Sequence, residues 1–194
     1  DINHKYIVVE RMKKMKLYAF LADGFETVEA LGVIDILRRG KVDVCTVSIS
    51  SDRMVTSSHR IPVEADELFE NLDFNDGDAL FLPGGVPGTP NLEAHEGLSK
   101  LIDRYYAEGK ILAAICAAPS ILGHHNILKG RKATCFPGYE NELYGAESTG
   151  AGVVRDGNVI TGKGMGKTVD MGLELLEMMS DKANAELIKG KIQY

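Results

Sequence analysis

Short unbroken apolar runs alternate with helical patterns along this chain, and no other feature limits the possible folds so tightly. KLYAFLA (Lys16 to Ala22) reads as a strand and ETVEALGVIDILRR (Glu26 to Arg39) as a helix. VDVCTVS (Val42 to Ser48) is strand-like again, and DALFLPGG is a buried strand ending on a double glycine. HEGLSKLIDRYYAEG is amphipathic and closes on Gly109, a residue type that ends helices. Ile111 to Ile115 form another apolar run, with Pro119 and Ser120 starting the helix that follows. GVVRDGNVITG predicts a hairpin turning on Asp156-Gly157, and GKTVDMGLELLEMM and DKANAELIKG predict closing helices. Such alternation over short connections makes a mainly parallel sheet between helix layers, so the expected class is an α/β sandwich of three layers. Ligands of such sheets bind beyond the carboxyl ends of the strands. The ends at Leu21–Gly24, Leu82–Gly85 and Ile115–Cys116 are therefore where a site is expected.

Composition narrows the class of function. The chain has 194 residues and a net charge of −6, with no block of lysine or arginine, which argues against nucleic-acid and anionic-membrane surfaces. No apolar run approaches the roughly 20 residues of a membrane span. Three cysteines, an odd number without a CxxC pair, argue against a disulfide framework and for a reducing cytoplasm. The five histidines show no metal-ligand spacing, so no metal is expected. GKGMGKT resembles a phosphate loop, but Thr161 stands where its first glycine is required. Residues 1–14 are expected to be an N-terminal extension or cloning remnant and not a signal peptide, with Met12 or Met15 as possible starts. Residues 15–194 are then expected to form one domain.

The richest stretch is GKILAAICAAPSILGHH, where a lone cysteine stands between a strand and a helix with alanines around it. Small neighbours suit a sharp strand-to-helix turn, the steric problem that hydrolase nucleophile elbows solve with glycine. The free N–H groups and dipole of a helix N-terminus favour the thiolate, so Cys116 is the expected nucleophile. Cys45 lies among the valines of its strand, and it and Cys135 read as core. LPGGVPGTPN reads either as a tight loop or as exposed amides, in which Gly84 or Gly85 joins Ala117 in holding an oxyanion. Glu29 shares a helix face with Val33 and Ile36; it reads as a functional carboxylate or as a first-turn charge complementing the dipole, a role Glu26 already fills.

Histidine is the missing partner. His124 and His125 follow Cys116 on its own helix, on the order of 12 Å away at about 1.5 Å per residue, which is too far for a hydrogen bond. His95 reads as a solvated helix-terminal residue, and His59 as a loop residue in TSSHRIPVEAD.

LADGFETVEALGVIDILRRG, ALFLPGGVPGTPNL and AAICAAPSIL, in this order and spacing, closely resemble the ThiJ/PfpI superfamily and its DJ-one branch, named for the parkinsonism-associated deglycase. The resemblance implies a flavodoxin-like fold, a homodimer, an oxidation-sensitive cysteine at Cys116 and a protonated glutamate at Glu29. It places oxyanion-hole amides at Gly85 and Ala117, and a dimer helix at Glu26 to Arg39, which is apolar on many sides. Arg39 falls where relatives present an arginine across the dimer interface. The chain departs from its relatives in two places. Ala117 stands where protease-like members carry histidine, and Phe136 stands before Pro137 where DJ-one relatives often do. Ser58, His59 and Arg60 stand where relatives have an arginine near the site, so His59, Arg39 and Phe136 are the candidate substrate or anion contacts. The implied activity is cofactor-free: a glyoxalase, or a deglycase of early glycation adducts, acting on small 2-oxoaldehydes such as methylglyoxal. The alternative is a redox sensor or stress-protective protein working through oxidation of Cys116, and a cysteine peptidase or amidase ranks below both for want of histidines.

Overall fold

The computed structural model describes residues 14–194; the expectation for the N-terminal segment falls on residues 1–13, outside them, and on Lys14. In chain order the elements are β1 (Lys16–Leu21), α1 (Thr27–Arg39), β2 (Asp43–Ser48), β3 (Met54–Thr56), β4 (Pro62–Glu64) and β5 (Glu67–Leu68). They continue with β6 (Ala79–Leu82), α2 (Gly88–Glu93), α3 (Glu96–Ala107), β7 (Ile111–Ile115), α4 (Pro119–His124), β8 (Lys132–Ala133) and β9 (Glu147–Ser148). β10 (Val153–Asp156), β11 (Val159–Gly162), α5 (Thr168–Met179) and α6 (Lys182–Lys191) complete the chain. The main sheet runs β10-β11-β7-β6-β1-β2-β5 and is parallel except for the β10–β11 hairpin. That hairpin turns on Gly157 and Asn158, one residue later than the sequence suggests, because Asp156 still pairs with Val159.

Strand alternation sorts the core into two layers. Tyr18 and Phe20 of β1, with Leu80 and Leu82 of β6, face Leu98, Leu101 and Ile102 of α3 and Ile121 of α4. Leu17 and Ala19, with Phe81 and Ile115, face α1, α5 and α6 on the other side through Val33, Leu37, Met171 and Leu175. This is the α/β flavodoxin-like class. The short β3–β4 and β8–β9 pairs escaped the sequence reading, since two or three residues carry no periodicity.

Two expectations about helices change. Helix α1 is less bare than its composition suggests, because α5 covers one flank. A Cβ on Gly32 would lie 2.5 Å from Thr168 Cγ2 and one on Gly172 2.8 Å from Ile36 Cδ1, so these glycines let the two helices approach. Ile34 is also buried, and Val28 is the large apolar side chain that α1 exposes. His95 is no solvated terminus: its Nδ1 accepts from the Leu98 N–H (3.0 Å), capping α3, and its ring lies edge-on to Phe69.

The strands leave β1 toward β2 on one side and toward β6 on the other, so the order reverses between β1 and β6. The crevice beyond their carboxyl ends is the topological switch point, where doubly wound sheets bind ligands. Among the described residues no helix is long and apolar enough to cross a membrane.

Candidate active site at the switch point

Three loops meet at that crevice. The first carries the chain from β1 through Gly24 and Phe25 into α1. Glu26 caps the helix, its Oε2 accepting from the Glu29 N–H at 2.7 Å, and so fixes the first turn from which Glu29 points inward. Glu29 is only 1% exposed, a burial that a carboxylate tolerates only with specific partners. One partner is the Gly84 N–H, donating to Oε2 at 3.0 Å; the other is the Cys116 thiol.

The second loop follows β6. Gly84 must be glycine on steric grounds: a Cβ there would sit 2.5 Å from both Cys116 Cβ and Glu29 Oε2. Gly85 has φ +101°, and a Cβ on it would strike Glu26 N at 2.4 Å. The two glycines thus have different tasks. The Gly84 amide is engaged by Glu29, and the Gly85 amide faces the Cys116 sulfur.

The third is the elbow. Cys116 adopts φ +66°, a left-handed conformation that is uncommon for a residue with a Cβ and marks a constrained turn. Its N–H donates to Gly162 O at 2.9 Å and its carbonyl accepts from Phe136 N–H at 2.8 Å, so β11 and the segment after β8 clamp the turn on both sides. Ala117 and Ala118 are buried, which accounts for the run of small residues. The Ala117 N–H, like that of Gly85, is directed at the sulfur.

The electrostatics overturn the simple dipole argument for a thiolate. Burial, followed by the charge of Glu29, pushes the Cys116 thiol up to about 12, while the Ala117 and Gly85 amides work in the opposite direction. Helix α4 starts only at Pro119 and spans six residues, too little to outweigh a buried carboxylate. Burial also raises Glu29 to about 7. The two groups therefore compete for protons: a charged carboxylate opposes the thiolate, whereas a protonated one can donate a hydrogen bond to it.

The remaining candidates are scattered. Phe136 is half-exposed beside the elbow, tied to it through its backbone. His59 lies on the loop between β3 and β4, which docks on the start of α1 through Ser58 N–H to Phe25 O (2.8 Å) and Thr27 Oγ1 to Ser57 Oγ (2.7 Å); the His59 ring itself is hydrogen-bonded to Ser58 Oγ (3.2 Å). Arg39 closes α1 at the end away from Glu29 and pairs with Asp35 at 2.6 Å, so within one chain it is not brought to the cysteine. His124 is held between Glu93 and Glu142, an arrangement the sequence reading missed.

Residues 15–178 match the DJ-1/PfpI family model. The chain belongs to the DJ-1/PfpI family. It is 34% identical over 174 residues to protein DJ-1 homolog B of Arabidopsis thaliana, an alignment covering 89% of this chain and 40% of the relative. The chain thus spans about two fifths of the length of that relative. A deglycase of Pyrococcus abyssi is 30% identical over 77% of this chain and 90% of its own length. Among solved structures, a cysteine-to-alanine mutant of a DJ-1 superfamily protein from Salmonella typhimurium superposes with a TM-score of 0.88 at 36% identity, covering 93% of this chain and 98% of that one.

Proposed function

We propose that the chain is a cysteine-dependent, cofactor-free enzyme for reactive 2-oxoaldehydes, acting as a glyoxalase or as a deglycase of their early adducts. One observation carries this reading: the Cys116 thiol, the Glu29 carboxyl and the Gly85 and Ala117 amides converge on one point, with Gly84 leaving no room for a side chain. The Pyrococcus deglycase supports the same chemistry.

Taking methylglyoxal as substrate, the Cys116 sulfur adds to the aldehyde carbon and its proton passes to Glu29. The new C–S bond leaves an oxyanion, which the Gly85 and Ala117 N–H groups bind until Glu29 returns the proton. Glu29 then removes the hydrogen on that carbon as a proton while the ketone oxygen takes one up, giving an enediol; it delivers the proton to the neighbouring carbon as the first carbon's hydroxyl gives up its own, leaving a thioester. The aldehyde carbon is oxidised as the ketone is reduced, so no external oxidant is needed. Water cleaves the resulting thioester, releasing lactate and the free thiol. A hemiaminal that loses its amine yields the same aldehyde and enters the same sequence. A Glu29 that titrates near pH 7 suits a group that must both take and give a proton. We place this activity in a cytoplasmic homodimer built on α1, with no nucleic-acid or membrane partner.

The test is lactate formation from methylglyoxal without glutathione or added metal. Wild type should produce it, Cys116→Ala should not, and Cys45→Ala and Cys135→Ala should retain most of it. Lactate made equally by Cys116→Ala would remove the reading.

The redox reading rests on a separate observation, the convergence of two amides and a carboxyl on the sulfur itself, which suits a sulfinate as well as an oxyanion. Under dilute peroxide, wild type should halt at the sulfinic acid. Glu29→Leu, lacking that donor, should stop earlier or proceed to sulfonate, as read by intact mass.

A further inference from the structure

In the helix layer made by α3 and α4, three side chains form a relay that the steps above do not use. Ser99 and Asp103 stand four residues apart on α3, so they share one face of that helix. His125 follows α4 directly and brings its ring to both of them. Its Nδ1 pairs with Asp103 Oδ1 at 2.7 Å, and its Nε2 lies 3.4 Å from Ser99 Oγ. The frame behind the three is well packed, because Leu98, Leu101 and Ile102 of α3 and Ile121 and Leu122 of α4 are buried in one core layer. The imidazole is sheltered, with its side chain 14% exposed, and Ser99 is partly open to solvent.

The direction of the hydrogen bonds follows from the partners. A carboxylate only accepts, so the Nδ1 facing Asp103 carries a proton. In the neutral ring Nε2 is then the free lone pair, and the Ser99 hydroxyl is the donor to it. A hydroxyl aimed at one ring nitrogen, with a carboxylate fixing the other, is the connectivity by which histidine turns a serine into a nucleophile. The serine–histidine separation is long, as such pairs often are before a reactant tightens them. Ser58 and His59 show what is particular here. Ser58 Oγ lies 3.2 Å from Nδ1 of His59, but among the described residues no carboxylate pairs with that ring.

The backbone limits what the relay can do. The Ser99 N–H is spent on His95 O at 3.0 Å, and the amides after it belong to the ladder of α3. Unlike Cys116 at its elbow, Ser99 has no free amide of its own to hold an oxyanion. An acyl carbon can then be attacked only where a good leaving group already activates it, and an acyl group once transferred leaves slowly.

We propose that Ser99 is an acyl-accepting nucleophile, with His125 as its base and Asp103 as the positioning residue, modified by activated esters whose leaving group is a weakly basic oxyanion. Ser99 Oγ forms the new bond to the acyl carbon while its proton passes to His125 Nε2. The bond from the acyl carbon to the leaving oxygen breaks, and that oxygen departs with the electron pair. His125 then gives its proton to the departing oxygen or to water, and nothing is oxidised or reduced.

The test is acetylation by p-nitrophenyl acetate at neutral pH, followed by peptide mapping, in a Cys116→Ala chain that lacks the competing thiol. Ser99 should acetylate at least tenfold faster than Ser58, whose histidine has no carboxylate. His125→Gln, which keeps a hydrogen-bonding side chain but no base, should slow Ser99 at least tenfold. Asp103 is exposed, so changing it disturbs no core; Asp103→Asn should slow Ser99 about fivefold, and Asp103→Glu should recover most of that loss. Release of p-nitrophenolate beyond one equivalent per chain, abolished by Ser99→Ala, would sustain the nucleophile and show that its acyl group turns over. Ser99 acetylated no faster than Ser58, or equally fast in His125→Gln, would overturn the proposal and leave the three residues as a clamp between α3 and α4. Acetyl found on the His125 ring with Ser99 bare would overturn it as well.

Discussion

Glu29→Gln separates the two roles that Glu29 plays toward Cys116. The carboxylate and the thiolate are neighbours, since one point beside Gly84 lies 2.5 Å from both Glu29 Oε2 and Cys116 Cβ. Two unit charges about 4–5 Å apart, at an effective dielectric of about 20, repel by about 3–4 kcal/mol. At 1.36 kcal/mol per unit this amounts to about 2–3 pK units. Neutral glutamine removes that repulsion but not the burial, which is the larger cause, so the thiol should fall by about 2 units from its wild-type position near 12. The assay is the rate of iodoacetamide alkylation at Cys116 across pH, with peptide mapping to separate Cys45 and Cys135. In wild type the first proton leaves the Glu29–Cys116 pair near pH 7 and the second near 12. Between those values the thiolate fraction is fixed by how one proton is shared, and the rate should be flat. In Glu29→Gln the rate should climb about tenfold per pH unit until the lowered pKa is reached. Lactate formation should nevertheless collapse, because glutamine cannot shuttle the proton. A Glu29→Gln profile that stays flat, or a thiol that titrates higher than in wild type, would refute the coupling.

Glu29 should also set a pH dependence of stability. Its pKa is raised from 4.5 to about 7 on folding, so its contribution is complete below pH 4.5 and is lost as pH rises toward 7, up to about 3 kcal/mol. Denaturant melts at pH 5 and 8 should show that loss in wild type and its absence in Glu29→Gln. Gly84→Ala puts a methyl group into the gap between Glu29 and Cys116; it should reduce turnover more than a hundredfold and destabilise by about 1–3 kcal/mol, seen in kinetics and melts. For the dimer the position to charge is Val28, 47% exposed, and not the buried Ile34. Sedimentation should find wild type dimeric and Val28→Asp shifted toward monomer, whereas Ile34→Asp should simply unfold.

The parallel sheet was legible because its strands are buried on both faces and read as unbroken apolar runs, such as Ala79–Leu82 and Ile111–Ile115. Cys116 stood out because a strand-to-helix turn crowds its neighbours into alanine, and Glu29 because a carboxylate shared a face with Val33 and Ile36. What stayed hidden depends on contacts between distant segments. The Glu93–His124–Glu142 cluster joins three separate parts of the chain and has no local spacing to betray it. The close packing of Ile36 on Gly172 is decided by α5, more than a hundred residues later in the chain. The thiol's acidity could not be read from the elbow alone, because its largest perturbation, burial, is a property of the assembled crevice.

The left-handed backbone at Cys116 has a bearing on how such a chain can change over generations. A side chain with a Cβ held there costs about 1–2 kcal/mol relative to a relaxed conformation, and glycine or asparagine would relieve much of it. For the backbone alone, replacing the cysteine by either residue is therefore the downhill direction. Descendants freed from selection on the cysteine should drift toward Gly or Asn at this position and melt at higher temperature. A lineage without the cysteine is thus an accessible neighbour of this fold.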